Sequence, residues 1–294
     1  MNAVMSAART TGTATTSLRT TRHTLAVPGG ALHYQLTGSG PLLLIAQSGE
    51  GDADRTVDLV AGLADTYTVV TYDRRGLSRS RPAGAEHGAS LTDHADDVAR
   101  LLRALTDSPV LMLGCSLGAL IGLHTAVRHP GLIGTLIAHE PVAPRLLPAA
   151  DRARHQAELV HLRELYASDG LAPVFREIAR TLGIDTSGKD SEPGLTPQPM
   201  DARRIANFDR FLRHDLTAIV QDPLDPTLLR DCGTRILPAV GAGTPSGVFD
   251  VACVRALAEL LGTEVHVFPG GHNGNTSHPR AYAARMRELF AEAA

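Results

Sequence analysis

Cysteine is scarce in this 294-residue chain: Cys115, Cys232 and Cys253 are the only three. The number is odd and no pair has the CxxC spacing of a metal site, so neither a disulfide framework nor a zinc site is expected, and a reducing cytoplasm suits the chain. Net charge is nearly absent as well, at −3 from 28 basic and 31 acidic residues. Such a balance gives no hold on nucleic acid or an anionic membrane and leaves small molecules as the expected ligands. No run reaches the roughly 20 apolar residues that a membrane-spanning helix needs. Lysine is limited to Lys189 while alanine, glycine, arginine and threonine abound, the usage of a high-GC bacterial genome. Residues 1–22, threonine-rich and poor in large apolar side chains, lack the apolar stretch of a signal peptide and read as a flexible tail.

What the chain does have is alternation. Short apolar runs at 42–46 (LLLIA), 68–72 (TVVTY), 109–113 (PVLML), 134–138 (GTLIA), 235–240 (RILPAV) and 264–268 (EVHVF) suit parallel strands covered on both faces. Between them, 54–64, 91–106, 117–129 and 250–262 carry apolar residues at helical spacing, as in Val98, Leu101, Leu102 and Leu105. The βα order predicts a mostly parallel, doubly wound α/β sheet. Segments 23–27 and 31–36 flank Pro28-Gly29-Gly30 as a hairpin. The interval from 139 to 234 far exceeds a crossover connection, and its segments 151–167, 171–182 and 201–219 read as helices. The expected organisation is a core of 23–142 and 231–294 with a helical cap inserted at 143–230.

At this glycine content a GxSxG pattern arises by chance in roughly one such chain in ten, so Gly114-Cys115-Ser116-Leu117-Gly118 gains its weight from context. It follows the strand-like Val110–Leu113 and opens the helix-like segment from Leu117, the strand, sharp turn and helix that expose a serine hydroxyl at the carboxyl edge of a sheet. A serine is a weak nucleophile and needs an imidazole to take its proton. His272, in Gly270-Gly271-His272, lies just past the last expected strand and on the same edge. His278, before Pro279, is expected to start the last helix instead.

With these residues and Tyr72-Asp73-Arg74-Arg75-Gly76-Leu77-Ser78-Arg79-Ser80, which is similar to a DxRGxGxS element, the chain resembles the α/β-hydrolase superfamily over residues 24–293. The resemblance implies an α/β-hydrolase fold with Ser116 as nucleophile and His272 as base, and makes Asp73 and Arg75 structural. It also implies an oxyanion hole from the backbone N–H of Leu117 and of Ser48 or Gly49, because Gln47-Ser48-Gly49-Glu50-Gly51 stands where the family carries HGxxG. Where relatives place their acid in a GxxD turn, this chain reads Gly241-Ala242-Gly243-Thr244, and threonine cannot orient a histidine. Glu140, after Ala138-His139, matches the alternative position used by some relatives, haloalkane dehalogenases among them. Asp250, read as lying in the loop before the next helix, is the reserve acid, or else a helix cap.

Other clusters carry less. His155 and His161 fall in a charged helical stretch without a metal-ligand pattern and are expected to be solvated. Cys115 should point away from the site, and no GxGxxG supports a dinucleotide. Leu162, Tyr166, Phe175, Phe208 and Phe211 are the expected pocket lining from the cap. Taken together these residues suggest a cofactor-independent hydrolase, monomeric or weakly oligomeric, that cleaves a small carboxylic ester, lactone or thioester. Fold does not settle function: a lyase, cyclase or perhydrolase using the same residues, or a ligand-binding relative without chemistry, remains open.

Overall fold

Along Leu42–Ala46 successive side chains enter different cores, Leu43 and Ile45 on one side and Leu44 and Ala46 on the other, and Leu43, Leu44 and Ile45 are fully buried. That is the period of two of a strand sandwiched between helix layers. In the computed structural model, which describes residues 19–83 and 88–292, this run is β3 of an eight-stranded sheet. The strands before it are β1 (Thr20–Val27) and β2 (Gly30–Thr37). After it come β4 (Thr68–Tyr72), β5 (Val110–Cys115), β6 (Ile133–His139), β7 (Arg235–Gly241) and β8 (His266–Phe268). The order is β1-β2-β4-β3-β5-β6-β7-β8, with β2 antiparallel to both its neighbours and every other pair parallel.

The helices sort by face. Leu59 and Leu63 of α1 (Val57–Leu63) pack with Tyr282, Met286, Leu289 and Phe290 of α10 (Pro279–Ala291) beneath Leu43 and Ile45. On the opposite face lie α2 (Leu91–Leu105), α3 (Leu117–Arg128) and α8 (Phe249–Leu261), together with most of the inserted segment. Ser90 starts α2 with a capping box, exchanging bonds with Asp93. α3 is buried from Leu117 to Ala126, as a helix between a sheet and other helices must be apolar all round.

Between β6 and β7 the chain forms α4 (Ala149–Asp169), α5 (Leu171–Leu182), α6 (Ala202–Arg210) and α7 (Leu216–Val220). A π-helical turn, Phe211–Asp215, joins α6 to α7. Leu159, Val174, Leu212, Leu216 and Ile219 root this insertion in the α3-side core. A buried hydrogen bond of 2.7 Å between His124 on α3 and Asp222 adds a polar pin. No helix among the described residues is long and apolar enough to cross a membrane.

Some boundaries differ from the sequence reading. β1 begins at Thr20, so residues 20–22 belong to a strand rather than to the tail, because their backbones pair with Gln35, Leu36 and Thr37 of β2. Residues 1–18 of that tail lie outside the described residues. The strand expected from 264 starts only at His266, since Gly262 closes α8 in the left-handed conformation and the chain must turn first. α1 starts at Val57 rather than 54, because the Asp52 carboxylate accepts the Asp54 N–H and holds a turn there.

Register decides where function can sit. Ala46 is level with Gly114, Cys115 with His139, and His139 with Ala239. The residues that follow these strands therefore gather along one carboxyl edge. That edge is where open α/β sheets build their sites.

Candidate active site

At the end of β5 the chain reverses into α3 within one residue, and Ser116 bears the bend at φ 53° and ψ −114°. A left-handed serine costs on the order of 1–3 kcal/mol and persists only where its surroundings hold it. Its N–H donates to His139 O at 2.9 Å, and its carbonyl accepts from Ala119 and Leu120 N–H at 3.0 and 3.1 Å. The flanking glycines are steric requirements. A Cβ on Gly118 would lie 2.1 Å from Ala46 O, and one on Gly114 would lie 2.6 Å from Ala119 Cα. Gly118→Ala is accordingly expected to cost roughly 3 kcal/mol through overpacking, read as a fall in Tm together with a displaced Ser116. Cys115 points into the α10-side core, and burial pushes its thiol up to about 12, which leaves it inert.

Glu140 follows β6 as Ser116 follows β5, and it too has a positive φ, 45°. Its N–H donates to Ala239 O at 2.9 Å. Its fully buried carboxylate accepts the Gly241 N–H at 2.8 Å on Oε1 and meets His272 Nδ1 at 2.5 Å through Oε2. Burial opposes the charge on Glu140, yet the hydrogen bond and charge of His272 prevail and bring its pKa down to about 2. On His272 burial works downward, and the Glu140 bond and charge overcome it, so its pKa rises above the ordinary 6.5. With Nδ1 engaged, Nε2 is the nitrogen left for other work. Ser116 and His272 both line one cavity of about 460 Å³. No direct hydrogen bond joins them, a looseness common before substrate binds.

The expected reserve acid stands elsewhere. Asp250 lies not in a loop but in the first turn of α8, whose N-cap is Val248, so it is neither a cap nor the partner of His272. It is buried in the cavity wall, and burial raises its carboxyl to about 7. Thr244 closes the Gly241–Thr244 turn, its N–H donating to Gly241 O at 3.1 Å. His155 also departs from expectation. It is buried and stacked on Phe249, because the insertion turns this face of α4 toward α8, while His161 stays exposed. Of the cap residues expected to line the pocket, Leu162, Phe175, Phe208 and Phe211 do so. Tyr166 does not: its hydroxyl is drawn to Asp209 and its ring to Arg213.

Ser48 and Gly49 border the same cavity, and Leu117, as the first residue of α3, has an N–H without an intrahelical acceptor. The loop is held by Arg74, which donates to Gly49 O at 2.5 Å and Ser48 O at 3.4 Å. Arg74 is itself paired at 2.5 Å with Asp215 of the insertion, both deeply buried. Its neighbours brace the same region. Asp73 accepts the N–H of Ala53 and Arg79, and Arg75 pairs with Asp97, the structural roles expected of them. Arg74 went unmarked in the sequence although it sits between these two. Asp215 carried no signal at all, because its role depends on a contact 141 residues away. Arg74→Leu is expected to cost about 3–5 kcal/mol, since it strands a buried Asp215, and chemical denaturation would register the loss.

The chain is similar to several known proteins. A family model described as the alpha/beta hydrolase fold matches residues 41–224. An uncharacterized hydrolase of Bacillus subtilis is 35% identical over 271 residues, covering 91% of this chain and 95% of that one. A 2-(acetamidomethylene)succinate hydrolase of Mesorhizobium japonicum is 29% identical over 205 residues, 67% of this chain and 72% of the other. Among solved structures, a thermophilic esterase from Thermogutta terrifontis superposes with a TM-score of 0.70 at 18% identity, over 93% of this chain and 99% of its own.

Proposed function

Because this chain belongs to the α/β-hydrolase family, we propose that it is a cofactor-independent serine hydrolase cleaving a carboxylic ester, lactone or thioester of a small molecule through an acyl-enzyme. The observation that carries the proposal is the buried Glu140–His272 pair opening on the same cavity as a strained Ser116 between strand and helix.

In this reading Ser116 Oγ attacks the substrate carbonyl while His272 Nε2 takes its proton. Glu140 stabilises the imidazolium so formed and keeps the ring oriented through Nδ1. The developing oxyanion is met by the N–H groups of Leu117 and of Ser48 or Gly49. His272 then protonates the leaving group. Water, deprotonated by the same imidazole, attacks the acyl-serine and releases the acid.

The test is a screen of p-nitrophenyl esters and acyl thioesters with Ser116→Ala protein as the blank. Turnover by the native chain well above that of the variant is the expected result; equal rates would sink the proposal. The base must be neutral to act, so kcat/KM should rise with pH through a midpoint above 6.5, where Glu140 holds His272. Glu140→Gln removes the charge that favours the imidazolium and leaves burial to dominate, so the midpoint should move down, a shift that a pH–rate profile measures.

A further inference from the structure

Two polar side chains that line the same cavity are left unused by the mechanism. His155 of α4 and Asp250 of α8 are each 5% exposed and both line the cavity. Asp250 Oδ1 and both ring nitrogens of His155 lack a hydrogen-bond partner among the described residues. Buried polar atoms left unsatisfied cost about 1–3 kcal/mol each. His94 and Asp215 form a similar trio in the core, and what distinguishes His155 and Asp250 is their place on the cavity. His155 Nε2 and Asp250 Oδ1 are 3.9 Å apart, too far to bond each other. Both atoms are shielded from solvent, so an oxygen that bonds both at about 2.8 Å has to displace the cavity wall slightly to reach them.

We propose that His155 and Asp250 form a specificity subsite that binds an uncharged hydroxyl of the substrate, which accepts from one side chain and donates to the other. This rests on the hydrolase reading of the same cavity and deepens it by naming a substrate feature. Each side chain is placed by its surroundings: the imidazole stacks on Phe249 with ring centres 4.6 Å apart and planes inclined by 22°, and Asp250 belongs to the first turn of α8. Leu159 and Val248 line the cavity beside them, and so does Glu158, whose charge opposes a second negative charge on Asp250. An ionic substrate group would have to give up its hydration there. Burial also lowers the His155 pKa to about 4 and raises that of Asp250 to about 7, so the pair leans toward its uncharged forms, which suits a neutral guest. A hydroxyl, being donor and acceptor at once, satisfies both sides; a methyl satisfies neither.

The experiment compares p-nitrophenyl acyl esters of three to eight carbons that end in methyl, hydroxyl or ammonium. At one chain length the native chain should prefer the hydroxyl ester over its methyl counterpart by at least about 10-fold in kcat/KM, as sites built to bond a polar group do. In His155→Phe, which keeps the stack on Phe249, and in Asp250→Leu, the ratio within each variant should fall toward one. An unchanged ratio in a folded variant, no hydroxyl preference at any length, or a preference for ammonium overturns the subsite. Should Asp250→Leu fail to fold, His155→Phe carries the test. Labelling of Ser116 by a fluorophosphonate reports separately on the hydrolase reading. If labelling and turnover are both absent, calorimetric binding of methyl ketones with the same chain ends to Ser116→Ala protein decides the subsite by the same ratio.

Discussion

Glu140→Gln is expected to lower kcat by about 10⁴-fold, the order of loss met when the acid that orients a catalytic histidine is made neutral. The cause is local. Glu140 Oε2 receives the His272 Nδ1 bond at 2.5 Å and Oε1 receives Gly241 N–H at 2.8 Å. An amide can keep one of these only by offering its NH₂ to the other, so either the imidazole takes the wrong tautomer or the Gly241 N–H loses its acceptor. The imidazolium formed in the transition state also loses its counter-charge at a buried position. KM should change much less, because Glu140 lies beneath the cavity wall and not in it. Asp250→Asn supplies the contrast, for Asp250 makes no bond to His272, and its effect on kcat should be smaller by orders of magnitude. Steady-state kinetics on the two variants read both numbers; the reverse order of losses would move the acid to Asp250.

Ser116→Ala is expected to have the larger effect, a loss of about 10⁶-fold in kcat, with labelling by fluorophosphonate abolished. Alanine keeps the backbone bonds of the elbow to His139, Ala119 and Leu120, so the fold and cavity should survive while the attacking atom is removed. Since methyl and hydroxymethyl side chains suffer similar crowding at φ 53°, Tm should move little. Burst kinetics on an activated ester should show one acyl group per native chain and none on the variant. A variant that retained turnover within tenfold of the native chain would instead assign the cavity to proton shuttling, as in the lyase class.

Much of this architecture was legible because it is written in local patterns. The run Leu42–Ala46 and the elbow Gly114–Gly118 each encode their own geometry, and Glu140 could be found from its place at a strand end once Thr244 was ruled out. What stayed hidden depends on how the insertion folds back. The burial of His155 follows from the approach of α4 to α8, and the role of Asp215 from a π-helical turn that brings it over Arg74. Helical periodicity says which residues share a face but not which neighbour that face will meet.

The Arg74–Asp215 pair ties the loop of Ser48 and Gly49 to the insertion. Arg74 supports the carbonyls of Ser48 and Gly49 while its guanidinium is held by the insertion. In the proposed mechanism the backbone that meets the oxyanion is therefore braced by a residue 141 positions further along the chain, so a substitution in the Phe211–Asp215 turn would be felt at the reaction centre without touching it.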